Sequence, residues 1–258
     1  MMRYALLALC LASPALAQDQ DDLVQAGFLA GWQLPDGHYM AALDLQLAPK
    51  WKTYWRAPGE AGIPPTFDWA GSTNLKSVQF HWPKPQVIAL NGMKSIGYLN
   101  ELVLPVEVTA QDPSQPVTLA LRMDLGICHD ICMPAHLTFA AALQGAGAKD
   151  SRIERALADM PKQAKGATCA IAPIADGLRL QANLALPPLG PDETVVFETN
   201  DPQVWVAEAQ TARQGGVLSS TTDLVPPSGA PFTLDRSAVI VTVLAQGQAV
   251  EYKGCAAP

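Results

Sequence analysis

From Val117 to Leu125 the chain alternates with period two. Val117, Leu119, Leu121, Met123 and Leu125 are apolar, and Thr118, Ala120, Arg122 and Asp124 between them are small or polar. A strand with one buried and one solvated face gives this pattern. Short runs of the same kind recur at residues 38–47, 78–81, 102–108 and 137–143 in the first half. In the second half candidate strands lie at 178–184, 193–197, 204–209, 216–222, 237–244 and 249–252. Twenty-two prolines and 19 glycines are scattered among them, a pattern that favours β-sandwiches over helical packing. One stretch carries a good helix signal. Ser151-Arg152-Ile153-Glu154 has capping-box spacing, Ile153, Leu157 and Met160 share a face, and Pro161 ends the run. The expected fold is all-β, with two immunoglobulin-like β-sandwich domains at residues 18–147 and 167–258 joined by a helical linker at 148–166.

The amino-terminus changes the picture of where such a protein works. It reads MMRYALLALCLASPALAQDQ, with one positive charge at Arg3, an apolar run from Tyr4 to Leu11, and Ala15-Leu16-Ala17 before a polar stretch. This is the pattern of a cleaved secretory signal over residues 1–17. The apolar run is far short of the roughly 20 residues that a spanning helix needs. No later segment is long and apolar enough either, so the expected mature protein is soluble and sits in a bacterial periplasm. Losing residues 1–17 removes Arg3 and no acid, which leaves 16 Lys and Arg against 24 Asp and Glu, a net charge of −8. That balance argues against nucleic acid as a partner, because phosphate binding relies on clustered Lys and Arg.

Cys10 leaves with the signal, and Cys128, Cys132, Cys169 and Cys255 remain. In an oxidising compartment an even count suggests two disulfides, in one of three connectivities. A chain of about 240 mature residues buries enough core to stand without them, so a disulfide here raises a functional question. Joining Cys169 to Cys255 closes a loop of about 87 residues, which the chain-entropy account values at roughly 4 to 5 kcal/mol. Neither has a neighbouring His or C-x-x-C spacing, so this pair reads as a structural staple.

The other two lie in Gly126-Ile127-Cys128-His129-Asp130-Ile131-Cys132-Met133-Pro134-Ala135-His136, between two alternating runs. Residues 126–134 are expected at a hairpin tip. In an extended strand, residues four apart are separated by about 13 Å, whereas a disulfide needs Cα atoms roughly 4.4 to 6.8 Å apart. Only a turn brings Cys128 and Cys132 together. A small, accessible disulfide ring is of the kind that exchanges; protonated His129 would favour a thiolate and Asp130 oppose it. Three intervening residues on a β background do not fit the thioredoxin-type C-x-x-C, and Met133 stands where c-type haem attachment needs His. Metal is the rival reading, since Cys128, Cys132, Met133, His129 and His136 offer the donor atoms that Cu(I) selects. An inert disulfide in a non-catalytic β-sandwich adaptor is the third. The residues alone leave all three open.

A wider set of residues carries a resemblance. Tyr54-Trp55-Arg56-Ala57-Pro58-Gly59, Gly62-Ile63-Pro64-Pro65, Asp68-Trp69, Trp82-Pro83, Gly97-Tyr98, Val103-Leu104-Pro105-Val106 and residues 128–134 resemble, in this order, the amino-terminal periplasmic part of the DsbD family of thiol:disulfide interchange proteins. The resemblance is nearest to the ScsB branch, associated with copper tolerance, and covers residues 31–143 well and the second half loosely. It implies an immunoglobulin-like sandwich with a redox-active cysteine pair and no further cofactor. The implied partners are a thioredoxin-like or CcdA/DsbD-type membrane reductase as electron donor and periplasmic disulfide proteins as acceptors. By the same resemblance Cys132 forms the mixed disulfides and Cys128 resolves them. The stretch that corresponds to the family's cap, residues 90–95, offers Leu90 and Met93 in place of an aromatic residue. Trp32, Trp51, Trp55, Trp69 and Trp82 are expected to pack the first domain. Arg56 and Asp68 are expected to pair or cap turns, and His81 and His136 to be packing or surface residues.

Overall fold

A computed structural model describes residues 20–90 and 92–258, apart from the side chains of Asp21 and Leu90. The expected signal, with Cys10, lies outside the described residues. A single helical turn, α1 (Gln20–Leu23), leads into β1 (Val24–Gln33), β2 (Tyr39–Leu47), β3 (Lys52–Tyr54), β4 (Thr66–Asp68) and β5 (Leu75–Phe80). These are followed by β6 (Gln86–Leu90), β7 (Met93–Leu99), β8 (Glu101–Ala110), β9 (Val117–Cys128) and β10 (Cys132–Leu143). One sheet has the order β1-β2-β8-β5, and the facing sheet β10-β9-β3-β7-β6, with β4 also on β9. The period-two pattern explains why they stack. Leu43, Leu45, Leu102 and Leu104 of one sheet meet Leu121, Met123, Leu125 and Leu137 of the other in one core, while Arg122 and Asp124 point outward and are exposed.

The second half starts from α2 (Ser151–Ala158). It continues through β11 (Lys162–Ala164), β12 (Thr168–Ile174), β13 (Gly177–Ala185), β14 (Thr194–Glu198), β15 (Trp205–Val206), β16 (Gln210–Gln214), β17 (Val217–Val225), β18 (Ile240–Ala245) and β19 (Gln248–Lys253). Here β11-β19-β18-β14 faces β12-β13-β17-β15, with β16 also on β17. Leu180, Leu184 and Leu218 pack against Val195, Val241 and Tyr252 between them. The all-β, immunoglobulin-like expectation is borne out.

The stretch expected to link the halves is shared between them. Ile153 of α2 is fully buried against Met40 and Ala42 of β2, whereas Lys162–Ala164 pair in parallel with Val250–Tyr252 of β19. The helix also starts differently from the capping-box reading. Asp150, in extended backbone, is the N-cap, and its carboxylate accepts from the Arg152 amide at 2.8 Å. A carboxylate at that position satisfies an otherwise unpaired helical N–H.

Cys169 and Cys255 are bonded, with Cα atoms 5.6 Å apart, and both are buried. The bond ties β12 to the chain beyond β19 beside two backbone bonds, Cys169 N to Ala256 O and Cys255 N to Arg236 O. Replacing both cysteines by alanine is expected to lower stability by about 2–5 kcal/mol. A urea unfolding curve reads this as a lower midpoint; an unchanged midpoint would show that the second sandwich does not rely on the staple.

The two sandwiches share an interface with an apolar part. Val196, Leu244 and Ala249, on the outward face of the β11-β19-β18-β14 sheet, are buried in the cluster that forms the core of the first sandwich. A sheet covered on both faces has no wet side, and its strands lose their alternation. Four consecutive residues of β19 are buried, as are five of β18.

Candidate functional site

β9 and β10 form a hairpin whose last cross-strand pair is Cys128 opposite Cys132. The turn is shorter than the nine residues expected. The ladder continues through Met133 opposite Ile127 and Pro134 opposite Gly126, and only residues 129–131 lie between the strands, closed by the His129 amide donating to Ile131 O at 3.0 Å. Directly opposed residues of the close antiparallel type have Cα atoms about 4.5 Å apart. Here the separation is 4.1 Å, and the two sulfurs are bonded. The cysteines are thus joined by strand register.

The two cysteines differ in exposure. Cys128 is 1% exposed, whereas Cys132 is exposed. Sheet order explains the difference. β9 is interior, with Lys52 of β3 lying opposite Cys128, while β10 is the edge of its sheet. Ile131, next to Cys132 in the turn, is 64% exposed.

Tyr54 completes the site. It stands two residues beyond Lys52 on β3, so its side chain shares a face with that of Cys128. Its ring lies across Gly126, where an added Cβ would come within 3.0 Å of Tyr54 Cε2. The missing side chain therefore makes room for the ring. The hydroxyl reaches Cys128 Sγ at 3.0 Å and Cys132 Sγ at 3.5 Å, and lies 3.4 Å from the Ala61 carbonyl. Burial raises the Tyr54 pKa, so the phenol keeps its proton. The sulfurs of a disulfide carry none, and the hydroxyl is the donor. Lys52, on the same strand, is buried; burial lowers its pKa, and its ammonium donates to Ser95 Oγ at 2.8 Å.

Residues 58–63 form the nearby cover. A Cβ on Gly62 would meet Pro58 and the Tyr54 ring, and Ile63 lies over Gly126. Met93 sits elsewhere. β7 pairs Leu99 with Lys52, which places Met93 six residues, about 20 Å, along the strand from the level of Cys128. Its side chain is 60% exposed and lines a cleft of about 860 Å³ between the sandwiches, with Trp205 on the far wall. The Leu90 side chain lies outside the described part. Nothing in the hydrophobic pattern aims Tyr54 at the sulfurs; its one signal is its place at the head of the Tyr-Trp-Arg run.

The five candidate copper ligands do not converge. Met133 faces inward and packs on the core. His136 pairs with Asp124 at 2.6 Å, four register positions from the cysteines, about 13 Å along the strand. His129 is beside the pair, held by Asp130 at 3.0 Å and near the Trp51 ring. Trp51, Trp55 and Trp82 are buried as expected. Arg56 and Asp68 take separate partners. Asp68 caps the Ala70 amide and pairs with Arg122.

Arg56 spans the interface between the sandwiches. Its Nε lies 2.8 Å from Glu198 Oε2, and its Nη2 lies 2.9 Å from Glu198 Oε1 and 2.5 Å from Glu251 Oε2. Gln163 donates to the other oxygen of Glu251 at 2.9 Å, and the guanidinium covers the Trp55 ring at 4.2 Å. A residue two positions from Tyr54 is thereby fastened to the second sandwich.

Residues 20–143 match the family model described as thiol:disulfide interchange protein DsbD, N-terminal. No curated protein matches the chain. Among solved structures, the chain is similar to the N-terminal periplasmic domain of ScsB from Proteus mirabilis. The TM-score is 0.67 at 22% identity, over 94% of this chain and 96% of that one. The resemblance read from the first half is found, and the likeness of fold extends through the second. No helix among the described residues is long and apolar enough to cross a membrane.

Proposed function

We propose that this chain, whose first domain matches the amino-terminal part of DsbD, is a periplasmic thiol:disulfide interchange module working through Cys128 and Cys132. The observation that carries this reading is the contrast between the two disulfides: one joins two buried cysteines, and the other joins an exposed Cys132 to a buried Cys128. Exchange requires a thiolate to reach one sulfur, and access decides which bond turns over. A partner thiolate attacks Cys132 Sγ, forming a mixed disulfide and releasing Cys128 as the thiolate. The Tyr54 hydroxyl, 3.0 Å from that sulfur, donates to the charge that develops there. The partner's second thiolate then attacks its own sulfur in the mixed disulfide. The partner leaves oxidised, and Cys132 leaves as a thiolate that takes up a proton. The reverse sequence passes the electron pair to a disulfide protein. A thioredoxin-like or CcdA/DsbD-type membrane reductase suits the donor role, and periplasmic disulfide proteins the acceptor role.

Graded reduction with dithiothreitol, alkylation and mass spectrometry test the reading. Cys128 and Cys132 are expected to be labelled at reductant levels that leave Cys169 and Cys255 bonded. Parallel reduction of both pairs, or earlier reduction of the second, would overturn it.

A further inference from the structure

The opposite face of the first sandwich carries a second cluster of reactive side chains. Glu107 lies in the middle of β8, between the buried Val106 and Val108, so its carboxylate points away from the core. β2 and β5 flank β8, and each brings a histidine to it. His38 stands just before β2, with Nδ1 2.6 Å from Glu107 Oε1; His81 stands just after β5, with Nε2 3.0 Å from Glu107 Oε2. Asp36 joins from the turn ahead of β2. One of its oxygens accepts from the His38 amide at 3.1 Å, which leaves the other 3.8 Å from His38 Nδ1. Gly37 between them has φ +89°, a conformation glycine adopts freely.

We propose that Asp36, His38 and Glu107 form a binding site for a divalent transition-metal cation of the zinc type, with His81 as the residue that positions Glu107. One donor atom from each of the three lies within 4.8 Å of the other two. Zinc takes His nitrogen and carboxylate oxygen at about 2.0–2.1 Å in tetrahedral array, which places neighbouring donors about 3.3 Å apart. The His38–Glu107 and His38–Asp36 separations of 2.6 and 3.8 Å fall on either side of that value, and the Asp36 and Glu107 oxygens lie within 4.8 Å of each other. Two carboxylates and a neutral imidazole balance a dication, and the fourth position is left for water.

His81 has the place of an outer partner, which binds the carboxylate oxygen turned away from the metal and fixes its orientation. A His–Glu pair accounts for Glu107; the second Asp36 oxygen lies 3.8 Å from the same nitrogen. The site shares no residue with the cysteine pair.

The test uses the full chain with both disulfides oxidised, so that no thiol competes. Titration with Zn²⁺ against a chromophoric chelator is expected to show one equivalent bound. His38→Ala and Glu107→Gln should abolish it, and His81→Ala should weaken it about 10- to 100-fold. Histidine ring NMR signals should shift for His38 and stay in place for His129 and His136. Should Glu107→Gln fail to fold, Asp36→Asn in the exposed turn gives the same reading with the sheet intact. Zinc uptake equal in wild type and His38→Ala, or shifts confined to His129 or His136, would overturn the proposal.

Discussion

In a Cys128→Ser variant, Cys132 is left as an exposed thiol with no neighbour to resolve it, and covalent complexes with disulfide proteins are expected to accumulate. The expectation follows from unequal access. Cys132 sits on the edge strand with Ile131 exposed beside it, whereas Cys128 is 1% exposed, beside β3 and against the Tyr54 hydroxyl. A mixed disulfide on Cys132 is normally broken by the second thiol of a dithiol pair; serine cannot do this, so the adduct persists. The complexes should appear as high-mass species on non-reducing gels of periplasmic extracts and collapse on adding dithiothreitol. Cys132→Ser should give none, because the remaining sulfur is buried, and both variants should lose two-electron turnover. Trapping through Cys128 instead would reverse the assigned roles, and trapping through neither would remove the interchange reading.

How much of this was legible beforehand depended on local burial. The alternating runs Val117 to Leu125 of β9 and Leu178 to Leu184 of β13 reproduce their burial patterns residue by residue, because each has one wet face; β17 alternates in burial although Ser220 and Thr222 on its buried face are polar. β1 escaped the periodicity because most of its side chains are exposed or half-buried. β3 escaped because it is three residues long and buried throughout. Residues 90–95 correspond to the family's cap, yet Met93–Leu99 is a strand that pairs with β6 and β3. The Asn91-Gly92 dipeptide is a hairpin signal that the family comparison obscured. The cysteine pair itself was readable from composition and spacing. Its contact with Tyr54 was not, since it arises from the lateral placement of β3 beside β9 and from the absence of a side chain at Gly126. The interface left a trace: Val195-Val196-Phe197 and Val241 to Ala245 are buried without alternation, the mark of strands covered on both faces. The His38–Glu107–His81 cluster left none, because its members come from β8 and from the chain just before β2 and just after β5, brought together by sheet order.

Arg56→Met is expected to cost about 3–5 kcal/mol, the range for removing one member of a buried ion pair. The Glu198 and Glu251 side chains are only 15% and 5% exposed, and without the guanidinium Glu251 keeps Gln163 and the more distant Lys253 ammonium. Burial alone would raise the Glu251 pKa; the Gln163 hydrogen bond and the Arg56 charge outweigh it, and the group titrates below the ordinary glutamate value. The stability this contributes in the wild type is therefore present above the ordinary glutamate pKa and lost as pH falls through the lowered one. In Arg56→Met the counter-charge is gone, and the folded-state pKa of Glu251 is expected to rise above its wild-type value. The variant is then most handicapped at neutral pH and recovers relative to wild type as the buried carboxylates protonate. Urea midpoints compared at about pH 7 and about pH 4 should show the gap narrowing with acidity. A gap that is constant with pH would assign the loss to the methylenes packed on Trp55 instead of the charge. Pairing Arg56→Met with Glu198→Gln and Glu251→Gln should restore part of the loss at neutral pH, since neutral side chains carry no unpaired charge into the interface. Because Arg56 follows Tyr54 by two residues, the same comparison, read at Cys128 by dithiothreitol reduction rate, shows whether the second sandwich holds the phenol against the sulfur. Faster reduction in the variant is the expected sign that it does.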